Sequence, residues 1–64
     1  MERTYKVLLV DDHPIVRQGL AELIGRESDM TVCGQAESAA AALDLTEKTQ
    51  PDLALVDISL DDMN

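Results

Sequence analysis

Positive charge is scarce in this 64-residue chain: five Lys and Arg stand against 13 Asp and Glu, a formal net charge of −8. Such a surface repels phosphate backbones and anionic headgroups, so direct binding of this chain to nucleic acid or to an anionic membrane is disfavoured. Cysteine is down to one, Cys33, so no disulfide can form within the chain. That thiol sits in a mildly apolar stretch, reads as a buried core residue and fits a reducing, cytoplasmic setting. The only aromatic residue is Tyr5, expected to pack at the foot of a sheet. Long apolar runs are absent as well. The run that follows Lys6 is interrupted by two aspartates after four residues, too short for a signal-peptide core or a membrane span. No Gly-rich turn follows it, which argues against a nucleotide-binding Rossmann half. There is no internal repeat, and Ala39 to Ala42 reads as helix-favouring small residues. A chain this short makes at most one small domain, whose burial gain and ordering cost are of similar size.

What the chain does have is two short apolar runs, each tipped with acid. Val7 to Val10 leads into Asp11 and Asp12, and Leu53 to Val56 leads into Asp57. Aliphatic runs without polar alternation suit strands buried on both faces of a parallel sheet. If the two strands are parallel neighbours, three carboxylates meet at one rim, where open α/β folds bind their ligands. Two carboxylates about 5 Å apart at an effective dielectric of about 20 repel by roughly 3 kcal/mol, equivalent to about two pKa units. Three of them call for a cation. Arg17 is the only nearby basic side chain by sequence, because Lys6 lies at the other end of the first strand. A hard divalent ion such as Mg2+, which prefers carboxylate and carbonyl oxygens, is the expected occupant. The alternative is a solvated acidic loop.

After Asp12, which reads as both strand end and helix cap, Pro14 suits a first helical turn. Ile15, Val16, Leu20, Leu23 and Ile24 recur at helical spacing until Gly25 stops the helix. Met30 to Ala36 alternates like an edge strand, with Met30, Val32, Gly34 and Ala36 on one side and Thr31, Cys33 and Gln35 on the other. Ser38 caps a second helix carrying Ala39, Ala40, Leu43 and Thr46 or Glu47, which Pro51 ends. The resulting β-α-β-α-β order requires right-handed crossovers. With the alternating strand at the edge, the spatial order is 2-1-3 and the helices lie on opposite faces. The switch point then falls between strands one and three, facing the positive end of the first helix.

Together, VLLVDDHP and PDLALVDISL resemble the receiver domain of two-component response regulators, most closely the NarL/FixJ type, over the whole chain. The combination of paired acids with a third-strand acid is specific, whereas either motif alone is weak. The resemblance implies a flavodoxin-like (CheY-like) doubly wound parallel sheet, with residues 1–64 forming its N-terminal part. It also implies a phosphoacceptor and transcriptional regulator, not an enzyme, with Asp57 taking phosphate from a sensor histidine kinase or a small phosphodonor. Mg2+ would be held directly by Asp12 and Asp57, through water by Asp11, and by the Ser59 carbonyl. DNA would be reached only through an output domain outside this chain. The hydroxyl residue, lysine and aromatic switch residue of the family's later strands have no counterpart in these 64 residues, so weaker metal binding and slow or absent phosphorylation are expected. Leu60 and Asp61 stand where relatives often carry Met-Pro, which leaves the path of that loop open.

The main rival is a receiver-like module that only binds another protein or itself, through an exposed edge of the third strand. A haloacid dehalogenase-type phosphohydrolase needs a second acid where Ser59 stands. A cobalamin-binding Asp-x-His-x-x-Gly motif fails at Val16. His13 reads as a polar cap or solvent contact, Asp61 and Asp62 as solvated loop charges, and Asp44, Glu47 and Asp52 as lying away from the rim.

Overall fold

The computed structural model describes residues 3–58 and residue 60. In chain order the elements are β1 (Tyr5–Val10), α1 (Pro14–Gly25), β2 (Met30–Ala36), α2 (Ala39–Thr49) and β3 (Leu53–Val56). The strands form one parallel sheet in the order β2-β1-β3, the order expected with Met30–Ala36 at the edge.

The central strand is the core. Val7, Leu8, Leu9 and Val10 are all at most 2% exposed, and because side chains alternate along a strand they divide between two faces. Leu8 and Val10 join Ala36 and Leu60 against Cys33, Ala41, Ala42 and Leu45, so α2 covers that face. Val7 and Leu9 join Ile24 against Leu20, Ala21, Met30 and Val32, so α1 covers the other. The predicted placement of the helices on opposite faces holds.

Four expectations need correction. The strict alternation of β2 breaks, because Val7 pairs with Val32 but Leu8 pairs with Gly34, leaving Cys33 as the extra residue of a bulge. Met30 and Val32 therefore pack towards α1, while Gly34 faces α2, where a Cβ would meet Leu8 Cδ1 at 3.3 Å and Leu45 Cδ1 at 3.4 Å. Cys33 is only half-buried, its thiol 3.5 Å from Thr49 Oγ1. On α2 the packing residues are Ala41, Ala42 and Leu45, and Leu43 is 72% exposed. Finally, β3 is not buried on both faces: Leu53, Leu55 and Val56 are 40–46% exposed. Both helices lie over β1 and β2, and among the described residues β3 pairs with β1 alone.

Local signals account for the ends of α2. Ser38 Oγ accepts the Ala41 N–H at 3.1 Å, one of the donors that a helix start leaves unpaired. At the far end Gln50 takes the left-handed conformation, φ 49° and ψ 66°, its N–H donating to the Thr46 carbonyl. Only glycine enters that region without steric cost, and its extra freedom in the unfolded chain offsets part of the gain. Gln50→Gly is expected to raise stability by about 0.5–1 kcal/mol in urea melts.

At the foot of the sheet Asp52 and Lys6 together tie β1 to α2 and to the start of β3. The Asp52 carboxylate accepts from Arg3 Nη2 at 2.5 Å and from the Lys6 backbone N–H at 2.7 Å, and Lys6 Nζ donates to the Thr49 carbonyl. Tyr5 stands here as expected, with the Arg3 guanidinium 4.8 Å from its ring centroid. The Lys6 hydrogen bond, helped by Arg3, holds the Asp52 carboxyl below its ordinary range against the opposing desolvation. A depressed folded-state pKa adds stability above the unfolded value, and that stability is lost as pH falls through the folded value. Melting temperature is accordingly expected to fall as pH drops below about 4, and less steeply in Asp52→Asn.

Candidate functional site

Register brings the acids together. Val10 pairs with Val56, so the chains leaving β1 and β3 emerge side by side at the same rim. Both exits stay anchored: the Asp11 N–H donates to the Ala36 carbonyl and the Asp57 N–H to the Val10 carbonyl, each at 2.9 Å. Asp11 is buried, with 9% of its side chain exposed, while those of Asp12 and Asp57 are 33% and 21% exposed. Beside them is a cleft of 330 Å³ lined by Val10, Asp11, Leu20, Leu55, Val56 and Asp57. Leu60 closes the opposite face, packed in the core beneath α2, its N–H donating to the Asp57 carbonyl at 3.4 Å.

The three carboxylates converge as predicted, and His13 joins them. One ligand atom each from Asp11, Asp12, His13 and Asp57 lies within 4.8 Å of the others. His13 Nδ1 is 2.8 Å from Asp11 Oδ1, 2.9 Å from Asp12 Oδ1 and 3.5 Å from Asp57 Oδ2. The hydrogen bond to Asp11, then the charge of Asp12, raise the imidazole pKa above its ordinary value. His13, not Asp12, is the α1 N-cap residue, without a side-chain capping bond. Its side chain turns towards the acids, and its backbone N–H donates to Asp11 Oδ1 at 2.8 Å. A single histidine before a proline carries no periodic signal of this contact, and at 60% exposure the side chain also meets solvent, as expected. Its place directly after two strand-end acids was the available clue.

Arg17 does not neutralise the carboxylates by direct contact. Its Nη1 donates to the Asp11 backbone carbonyl at 2.7 Å and its Nε to Gln35 Oε1 at 3.2 Å, fastening α1 to the rim. Asp44 pairs with Lys48 at 2.9 Å on the exposed side of α2, where Glu47 is also exposed, and Asp52 is at the sheet's foot; all three are away from the site, as expected. Ser59, Asp61 and Asp62 lie outside the described residues.

Three closely spaced carboxylates with an adjoining open cleft favour a divalent cation, and carboxylate oxygens are the donor type that Mg2+ prefers. The positive end of α1 begins at the same rim, adding attraction for an anionic group.

Parallel order 2-1-3 with acids at the switch point defines a doubly wound α/β module with an acidic rim site, and the family model for the response regulator receiver domain matches residues 7–64. The chain belongs to that family. Within it, the chain is 41% identical over 58 residues to the nitrate/nitrite response regulator protein NarL of Escherichia coli, a match covering 91% of this chain and 27% of that protein. It is 44% identical over 59 residues to the DNA-binding transcriptional activator DevR/DosR of Mycobacterium tuberculosis, covering 92% of this chain and 27% of the relative. Among solved structures, a LuxR-family two-component response regulator from Aurantimonas superposes with a TM-score of 0.84 at 42% identity, over 89% of this chain and 41% of the other. The signal receiver domain of a NarL response regulator from Mycobacterium tuberculosis superposes with a TM-score of 0.87 at 34% identity, over 92% and 48%. The chain thus spans about a quarter of the length of these curated relatives. No helix among the described residues is long and apolar enough to cross a membrane.

Proposed function

We propose that residues 1–64 form the N-terminal part of a receiver domain in which Asp57 is the phosphoacceptor. The convergence of Asp11, Asp12 and Asp57 within 4.8 Å at one rim carries this reading. The donor would be the phosphohistidine of a sensor histidine kinase, or a small acyl phosphate. One Asp57 carboxylate oxygen forms a bond to phosphorus as the bond to the donor's nitrogen or oxygen breaks, the leaving group keeping the electron pair. Asp57 is left as an acyl phosphate. Mg2+, held by Asp12 and Asp57, through water by Asp11, and by the Ser59 carbonyl, would supply the charge neutralisation on which phosphoryl transfer between anions depends. The chain itself contributes the anchored exit of Asp57 from β3, the Arg17 clasp on Asp11, and the positive end of α1 beside the incoming phosphoryl group.

Neither lysine serves the rim, since Lys6 is engaged at the foot of the sheet and Lys48 on α2. Labelling is therefore expected to be slow. The module would act in the cytoplasm as a switch rather than an enzyme, with transcriptional output through a DNA-binding domain elsewhere in a longer protein.

A second reading, a module that only pairs with another protein or itself, is favoured by the half-exposed apolar faces of β3 and by Ile58, 86% exposed. Such an edge is a template for further strand pairing. Intact mass after incubation with acetyl phosphate separates the two. The phosphoacceptor reading predicts an added phosphoryl mass that requires Mg2+, disappears with chelator and is released by hydroxylamine. A folded chain that gains no mass after prolonged incubation would leave the interaction module standing.

A further inference from the structure

The backbone carbonyl of a buried residue needs a donor, and where β1 ends a side chain supplies it. Asp11 is buried, and its N–H donates to the Ala36 carbonyl of β2 at 2.9 Å. In an extended strand the N–H and C=O of one residue point to the same side, so the Asp11 carbonyl also faces β2. But β2 ends at Ala36, and Ser38 turns away to cap α2. Arg17 Nη1 donates to the Asp11 carbonyl instead, at 2.7 Å, while its Nε donates to Gln35 Oε1 at 3.2 Å. The guanidinium takes the place of the next rung of the β1–β2 ladder. On the other side of β1 the Asp57 N–H donates to the Val10 carbonyl at 2.9 Å.

We propose that Arg17 is a positioning residue of the cation site: through the Asp11 carbonyl it fixes the peptide that leads into Asp12, and so the direction in which the Asp12 carboxylate leaves the rim. The inference rests on the metal site of the proposed function and extends it to a residue that is not itself a ligand. Each direct carboxylate ligand then has one backbone anchor, Asp57 through its own N–H on β1 and Asp12 through the carbonyl that precedes it. Arginine suits the task, because its planar fork presents donors in fixed directions and holds Asp11 and Gln35 at once, whereas a lysine ammonium is a point charge on a flexible stem. Electrostatics alone makes the opposite demand. A cation beside a divalent-ion site repels the ion, so if only the charge of Arg17 mattered, its removal would tighten Mg2+ binding. Positioning gives the other sign, since partners that orient metal ligands typically account for about 10–100-fold in affinity.

Titration with MgCl2 followed by amide NMR shifts tests this on the unaltered chain, Arg17→Ala, Arg17→Lys, Gln35→Ala, Asp12→Asn and the double variant Asp12→Asn/Arg17→Ala, each first shown to be folded by its spectrum without metal. The Mg2+ dissociation constant is expected to rise about tenfold or more in Arg17→Ala and about threefold in Gln35→Ala, with Arg17→Lys between Arg17→Ala and the unaltered chain. In the Asp12→Asn background, which keeps Asp11 and Asp57, Arg17→Ala should add less than about twofold, because the ligand it orients is already lost. A residue that only fastened α1 to the sheet would lower stability in urea without this coupling. Mg2+ binding by folded Arg17→Ala that equals or exceeds that of the unaltered chain, or a loss that persists in full in the Asp12→Asn background, overturns the positioning role. Should Arg17→Ala fail to fold, Arg17→Lys and Gln35→Ala decide, and unchanged affinity in both overturns it. If the unaltered chain binds no Mg2+, or Asp12→Asn binds it as tightly, the metal site itself falls and this inference with it.

Discussion

Asp57→Asn is expected to give a folded chain that gains no phosphoryl group from acetyl phosphate at any Mg2+ concentration. An amide oxygen lacks the charge and basicity to displace a leaving group from phosphorus, so the bond-forming atom is lost outright. The change also removes a unit charge from the cation site. At about 4 Å a carboxylate and a divalent ion attract by roughly 2 kcal/mol even at the dielectric of water, which corresponds to about thirtyfold in affinity. Mg2+ binding should weaken accordingly. The fold should not suffer, because the bond that anchors position 57 to the sheet is from its backbone N–H to the Val10 carbonyl. Asp52→Asn, at the opposite end of the sheet, provides the control and should label like the unaltered chain. Intact mass, calorimetry with MgCl2 and far-ultraviolet circular dichroism check all three statements. An added phosphoryl mass of equal yield in Asp57→Asn would place the acceptor elsewhere and sink the assignment.

Leu8→Ala is expected to have the largest effect on stability. Leu8 is 1% exposed on the central strand and packs with Val10, Ala36 and Leu60 beneath α2. Truncating a buried leucine costs about 2–5 kcal/mol, the lost transfer energy plus the cavity left behind. A chain of this length has a total stability of only about 3–10 kcal/mol at ordinary values per residue. The substitution therefore removes a large share of it, and a urea transition moved to much lower denaturant or lost altogether is the expected result at 25 °C. Leu43→Ala makes the same chemical change on α2 where the side chain is 72% exposed, and should change stability by no more than about 0.5 kcal/mol. Comparable losses in the two variants would show that the packing of α2 described above is wrong.

Much of the architecture was legible because it rests on short-range signals. The apolar run of Val7 to Val10, Pro14 at the head of α1, Ser38 as the cap of α2 and Pro51 after its end each report a local backbone preference, and all mark the observed elements. The acids were legible for the same reason, since a carboxylate directly after a strand must emerge at that strand's end. The faces of α2 were not. Four consecutive alanines give no phase, and Leu43 and Leu45 differ by about 200° around a helix, so only contact with β1 decides which is buried. Nor does an alternating strand announce a bulge: Cys33 becomes the extra residue because Val32 and Gly34 pair with consecutive residues of β1. The apolar composition of β3 reported what the strand prefers to touch, but not whether anything among the described residues covers it.

By itself, then, the sequence determined the alternation of strands and helices and the three aspartates at strand ends, since local periodicity, caps and strand ends are encoded by neighbours along the chain. Tertiary structure decided the bulge at Cys33, the inward face of α2, the return of Leu60 to the core and the turn of His13 into the carboxylates. Each of these depends on groups brought together from different parts of the chain, whose distances no pattern along one segment contains.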